Sequence, residues 1–402
     1  MNWGTAVAPT WFHKWLDGTK EMPQVRLQNE MEGDVTQTET LTYKQAQFRQ
    51  FTIIEYARPV IAGYALQSLL GTNSDTLTAA AKSSTLSAPI TAGATSFTSV
   101  GDLGNVGPSQ AVGFSTAYGD TSYEVATVDL TTRTGAGPWV YTLAASGTFK
   151  KAHLASDPIA FPSTHAFSES AVFTYDPYSY EFGYGVSGGT PNRVLRVKDA
   201  VCYGLRIRAD AGKPVIFEHD WFGAMASVQA AFTAVVQDSG PPLLFYQGAG
   251  AWKLNALTTG NAATIKQLSV ELKRNTAAED LINENLTPAY FLPGALTAGG
   301  SLTVDFSSWQ EYDQAYYGKA AAQTADTDSF IVGTEALETT ITADGVNSFK
   351  VSLPTINFAA ATLEPKLDSK PLDQQIQFTA IRPPAQAKLL TITVTNNQNT
   401  AY

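Results

Sequence analysis

The chain has 402 residues, of which 26 are Lys or Arg and 36 are Asp or Glu, giving a formal charge of −10 with only 15% of residues charged. An acidic balance excludes a surface that coats nucleic acid through its phosphates, because that affinity comes from a basic excess. Hydrophobic residues at 44% and aromatics at 11% exclude a disordered tail, since they supply the apolar area that offsets chain entropy.

The length suggests two domains, or one large β domain with additions. A lone cysteine, Cys202, permits no internal disulfide, so burial and sheet hydrogen bonds must stabilise the fold. The start, Met1 to Pro9, lacks a basic segment followed by an apolar one, so no secretory signal is expected and synthesis in the cytoplasm fits. No apolar run is long enough to span a membrane as a helix.

Thr, Ser, Gly, Tyr, Phe and Val dominate, and long helix-forming runs are scarce, so the chain is expected to be mostly β. Near its start Val25, Leu27 and Met31 alternate with Arg26, Gln28, Glu30 and Glu32, which predicts a strand, and Phe48 to Glu55 predicts its return partner. A helix is predicted over Tyr56 to Leu70, with Pro59 in its first turn and Gly71 as its stop. From Ser84 to Pro158 the texture changes to Ala, Thr, Ser and Gly with short alternating runs. That stretch reads as an inserted β module, linked through Ala79 to Ser83 and Ala152 to Pro158, whose two ends should lie close together. The domain plan is therefore 1–83 and 159–402 as one unit, with 84–158 inserted.

Tyrosines recur through Tyr175, Tyr178, Tyr180 and Tyr184, a spacing that suits either strand packing or a sugar-binding strip. Later Leu268, Val270 and Leu272 alternate with Gln267, Ser269, Glu271 and Lys273, and Leu302, Val304 and Phe306 alternate with Ser301, Thr303 and Asp305. A second helix is predicted from Ser308 to Tyr317, so that two strand-strand-helix units share one plan. Strands are also predicted over Phe349 to Leu353, Gln375 to Ala380 and Leu390 to Thr395.

Chemistry is thin. The four histidines, His13, His153, His165 and His219, fall in no zinc-ligand spacing, and Glu218, His219 and Asp220 on a strand send their side chains to opposite faces. Gly183 to Gly188 matches a dinucleotide pattern by letter but runs on into Gly189-Thr190-Pro191, which is turn chemistry. Gly113 to Ala117 lacks the closing glycine of a nucleophile elbow, and Asp326-Thr327-Asp328 lacks the remaining ligands of a calcium loop. Thr276 and Glu279 read as a capping box for a short helical turn, and Glu311 and Asp313 lie two apart on the second predicted helix, pointing different ways. No catalytic, cofactor or metal residue is assigned, and no enzymatic activity is expected.

Three stretches resemble a known family. They are Leu268 to Asn275 with Leu292-Pro293-Gly294, Gly299-Gly300-Ser301 to Phe306 and Tyr312 to Gly318; Tyr56-Ala57-Arg58-Pro59 with Gly63 and Leu69 to Gly71; and Leu353 to Phe358 through Phe378 to Asn396. Together they are similar to the major tail tube proteins of long-tailed, siphovirus-type bacteriophages, over roughly residues 24–78 and 165–396. The resemblance implies a tail-tube β-sandwich or barrel with two short helices, whose subunits close into a ring-shaped β-barrel. It further implies a virion structural protein of homohexameric rings stacked around a DNA conduit. Its partners would be copies of itself, the tape measure protein, the tail terminator and the baseplate proteins, with DNA passing unbound and no membrane. The inserted module would face outward, and Asp17 to Val25 and Asn275 to Pro288 would make contacts between subunits.

Strands polar on one face and apolar on the other suit a barrel wall with a wet lumen. If two strand pairs line it, the lumen candidates are Glu30, Glu32, Glu271 and Asp305, with Gln28, Ser269 and Thr303 between them and Arg26 and Lys273 as counterweights. The competing reading is a phage or cell-surface carbohydrate-binding β protein, an adhesin, with the tyrosine strip as its contact surface.

Overall fold

The computed structural model describes residues 15–17, 22–31, 39–58, 61–78, 83–104, 107–115, 122–134, 137–170, 173–184, 193–210, 213–229, 252–254, 265–279, 290–305, 334–342, 346–364, 373–396 and 401. Strands β1 (Trp15–Asp17), β2 (Met22–Met31) and β3 (Glu39–Tyr56) open the chain, followed by helix α1 (Ile61–Leu70) and β4 (Asp75–Thr78). Next come β5 (Ser83–Thr85), β6 (Ser96–Ser99), β7 (Gln110–Phe114), β8 (Glu124–Thr134), β9 (Trp139–Leu143) and β10 (Pro158–Ala160). The chain continues through β11 (Ser163–Phe167), β12 (Tyr178–Tyr184), β13 (Arg193–Asp210), β14 (Ile216–Gln229) and β15 (Trp252–Leu254). The remaining strands are β16 (Ile265–Arg274), β17 (Ala277–Glu279), β18 (Tyr290–Leu292), β19 (Leu296–Asp305), β20 (Thr334–Thr342), β21 (Ser348–Glu364), β22 (Asp373–Ala380) and β23 (Thr391–Asn396).

The chain is mostly β, and its main body is a 15-stranded sheet curled into a half barrel. The sheet runs β1-β3-β14-β13-β16-β19-β22-β21-β23-β11-β4, with β2 on β3, β12 on β13, and β15 joined through β20 to β21. Period-two alternation decides which face is packed. Along four neighbouring strands Leu205, Ile207 and Ala209, then Leu268, Val270 and Leu272, then Leu302 and Val304, then Ile376 and Phe378 are all buried in one core. Burying each large apolar side chain contributes about 1.5–3 kcal/mol, so this shared face fixes the register across all four strands.

Helix α1 covers part of that core, burying Ala62, Leu66, Leu69 and Leu70. It is shorter than the predicted Tyr56 to Leu70, because β3 stays in the sheet as far as Tyr56, which pairs with Ile216, and Ala57 then donates to the Val215 carbonyl at 2.8 Å. Gly71 ends the helix as expected: at φ +109° it takes the left-handed position, and its N–H bonds the Gln67 carbonyl at 2.8 Å. A β-bulge between Cys202 and Gly204 interrupts the β13 ladder, and Ser68 Oγ on α1 accepts the Cys202 N–H at 2.9 Å. Thus the helix docks where the sheet is irregular. The second predicted helix, Ser308 to Tyr317, lies outside the described residues.

Residues 83–160 build a separate sheet of six strands, β5-β10-β7-β8-β9-β6. It has its own buried cluster, in which Phe97, Phe114, Tyr141 and Phe149 pack ring against ring. Entry and exit run side by side: Thr78 pairs with Thr164 on the host sheet, and Ser83 pairs with Ala160 on the inserted one. Ala152 to Pro158, which the sequence suggests is a linker, belongs instead to the body of this sheet, where His153 exchanges backbone bonds with Ile90 at 2.9 and 3.0 Å.

One glycine sets how closely two core strands approach. A Cβ at Gly300 would lie 1.9 Å from the Ser269 carbonyl oxygen and 2.9 Å from the Phe378 ring. Gly300→Ala must therefore push β19 away from β16, and we expect it to cost about 1–3 kcal/mol, read as a lower urea midpoint at unchanged slope. An unchanged midpoint would mean that the strands can separate freely here.

Candidate functional site

The opposite face of the same four strands, with β14, is a continuous polar surface. Arg206 stands opposite Glu218 on one side and Glu271 on the other; Arg208 stands opposite Ser269, and Ser269 opposite Ser301; Gln267 stands opposite Thr303, and Thr303 opposite Gln375. These side chains reach this face because the alternation that buries Ile207, Val270 and Leu302 sends their neighbours the other way. Arg206, Arg208 and Lys273 here meet Asp210, Glu218, Asp220 and Glu271, so the surface carries both signs.

Arg206 is the centre of that arrangement. Its Nη1 lies 3.2 Å from Glu218 Oε2, and its Nη2 lies 3.2 Å from Glu271 Oε1. Partial burial works against its charge, but the two carboxylates outweigh it and hold the guanidinium above its ordinary pKa. On the same face the Thr52 hydroxyl donates to Asp220.

Of the lumen candidates, Glu271, Ser269 and Thr303 are brought together here, and the Glu271 charge is balanced by Arg206. Asp305 lies at the end of β19 opposite Asp373. Gln28 and Glu30 lie on β2 opposite Tyr43 and Leu41, and register shifts beside Leu27 and Met31 interrupt the ladder between β2 and β3. Glu32 lies outside the described residues. The signal that marks Arg206 and Arg208 was present in the alternation of Leu205, Ile207 and Ala209 with Arg206, Arg208 and Asp210, and the sequence reading missed it.

Glu218 and Asp220 face the polar side while His219 faces the core, as strand geometry dictates. The Trp221 Nε1–H donates to His219 Nδ1 at 2.6 Å, which leaves the ring proton on Nε2 to meet Glu55 Oε1 at 3.2 Å. Tyr178 and Tyr180 pack against the core, their rings 6.0 and 4.9 Å from that of Trp221, and burial pushes both phenols well above their usual range. Tyr175 is buried in a separate aromatic cluster with Phe291, and burial pushes its phenol up to about 12. Cys202 is a buried thiol, as expected of a small hydrophobe. Glu279 is a correction: it ends strand β17, opposite Tyr290 on β18, and so does not belong to a capped helical turn.

A further cluster was invisible in the sequence. In the inserted sheet His153 Nε2 lies 2.8 Å from Glu124 Oε1, and its Nδ1 lies 3.2 Å from Ser115 Oγ. Ser115 has φ +65°, donates to Asp157 Oδ2 at 3.0 Å and accepts the Ser122 hydroxyl at 2.8 Å. This resembles a hydrolytic triad by residue type, yet Ser115 and His153 are each only 1% exposed. The cluster forms a buried polar network that ties the end of β7, the start of β8 and the 150–157 segment together.

Among the described residues no three His, Cys, Asp or Glu side chains converge as a metal site, and no helix is long and apolar enough to cross a membrane. No protein-family model and no curated protein sequence matches the chain.

Proposed function

We propose that the chain is a non-enzymatic structural subunit that assembles with copies of itself into a tube, in the manner of a bacteriophage tail tube whose rings stack around passing DNA. The observation that carries this reading is the curled half-barrel sheet with one face packed and the other polar and of mixed charge. A half barrel leaves strand edges to be covered, and joining edge to edge with neighbouring copies would close it. The polar face would then line the channel. Because Arg206 is already bound to Glu218 and Glu271, it would offer phosphate little free positive charge, so DNA would slide without adhering. The inserted sheet, attached through two paired strands, would stand on the outer surface of the tube. Other tail proteins would meet the tube at its ends.

Support for a carbohydrate-binding surface is weaker, since Tyr175, Tyr178 and Tyr180 spend their rings on packing. The deciding experiment is negative-stain microscopy and light scattering of the purified chain over a range of concentration. Rings or tubes with a central channel are the expected result. Monomers at every concentration that bind glycans on an array would overturn the tube reading in favour of the adhesin.

A further inference from the structure

Arg58 stands between the end of β3 and the start of α1 and is 4% exposed. Its main chain is engaged, the carbonyl accepting the Ala62 N–H at 3.1 Å. Its side chain is not: Nε and Nη1 are both buried with no hydrogen-bond partner, which leaves Nη2 as the guanidinium's route to the surface. A buried guanidinium whose donors are unmet is an unfavourable charge for the fold to hold. Arg274 shows how the same fold satisfies a buried arginine. There Nε donates to the Leu69 carbonyl at 3.1 Å, Nη1 donates to the Gly294 carbonyl at 3.0 Å, and the guanidinium lies 3.7 Å above the Phe173 ring.

Among the described residues no carboxylate is paired with Arg58. The nearest carboxylate in sequence, Glu55, is bonded to His219 at 3.2 Å, and the first turn of α1 holds no acidic residue, so the helix's own positive end adds to the imbalance. We propose that Arg58 is an intersubunit anchor, its guanidinium receiving an Asp or Glu carboxylate from a second copy of this chain. The inference rests on the assembly reading and names one of its contacts. Charge complementarity selects the occupant: with 36 acidic against 26 basic residues, a neighbouring copy presents an excess of carboxylates. A carboxylate would reach the guanidinium through Nη2, in a charge-assisted hydrogen bond.

The test uses the full chain as wild type, Arg58→Met and Arg58→Lys. Methionine keeps much of the stem volume and removes the charge, so the dilute monomer should melt at the wild-type temperature or above it, as replacements of unfavourable buried charges do. Ring formation, followed by light scattering, should need at least roughly a thirtyfold higher concentration, the loss expected when one partner of a buried charge pair is removed. Lysine should restore part of it.

Arg58→Met rings forming at the wild-type concentration would overturn the anchor and leave the assembly reading standing. A methionine monomer that melts far lower would also overturn it, by showing that the guanidinium serves its own chain. Inorganic phosphate that raises the wild-type melt but not the methionine variant's, with assembly equal in both, would make Arg58 a small-anion site only. Wild-type chain that forms no rings at any concentration would overturn the assembly reading and the anchor with it.

Discussion

Replacing His153 with leucine is expected to lower the melting temperature of the inserted sheet by about 12–24 °C while the transition of the main sheet stays where it is. The magnitude follows from what the imidazole holds. It is the hydrogen-bonding partner of Glu124 at 2.8 Å and touches Ser115 at 3.2 Å, and its ring packs 5.7 Å from Phe114 and 5.6 Å from Phe149. Glu124 keeps the backbone N–H groups of Lys150 and Lys151, at 3.0 and 3.3 Å, but loses its one buried ring donor. Breaking such a buried network costs about 3 kcal/mol, and in a domain of 60–100 residues each kcal/mol moves the midpoint by roughly 4–8 °C. Leucine restores apolar volume without restoring a donor, so packing alone cannot rescue the loss. The selectivity follows from topology: the inserted sheet has its own core and joins the host through adjacent paired strands. Hydrogen exchange resolved by segment would check it. Equal loss of protection in both sheets would show that they unfold as one unit, and no loss in either would show that the network holds nothing.

What could be read from the sequence was the half-exposed sheet. Leu268, Val270 and Leu272 against Gln267, Ser269, Glu271 and Lys273 is an alternation that only a strand with one wet face leaves, and the structure keeps it residue for residue from Leu268 to Lys273. The end of α1 was equally legible, because Gly71 occupies a position that other residues resist. Its beginning was not, since Tyr56 remains a strand residue through pairing with Ile216, a partner 160 positions away in the chain. Nor was the Glu124, His153 and Ser115 network legible, because it joins segments that neither a motif nor a period connects. The tyrosine spacing suited strand packing and also a sugar-binding strip, and the rings of Phe51 and Trp221 opposite Tyr180 place it in a packed layer. Periodicity reports which face a residue takes, whereas a site depends on which distant strands arrive beside it. The unpartnered guanidinium of Arg58 was likewise silent, since a lone Arg-Pro step says nothing about burial.

Truncating Trp221 to alanine should cost the main sheet about 4–5 kcal/mol. The indole is fully enclosed at the junction of β3, β12 and β14, stacked 6.4 Å from Phe51 and packed 4.9 Å from Tyr180. Removing so large a side chain leaves a cavity that the twisted sheet can close only in part, and Trp→Ala changes at such sites cost about 3–5 kcal/mol. A polar penalty adds to it here. The Trp221 N–H is the donor that fixes the His219 tautomer at 2.6 Å, and without it Nδ1 of a ring only 1% exposed has lost its partner. Trp221→Phe separates the two terms, keeping most of the volume and losing only the donor, so it should cost about 1–2 kcal/mol. Domains of this kind are stable by roughly 5–15 kcal/mol, so the alanine variant loses a large part of its margin and the phenylalanine variant does not. Urea unfolding followed by far-ultraviolet circular dichroism gives both values from one pair of curves. An alanine variant that loses less than about 1 kcal/mol would mean that β12 and β14 collapse onto the vacated space, and that the aromatic layer is not what holds this part of the sheet together.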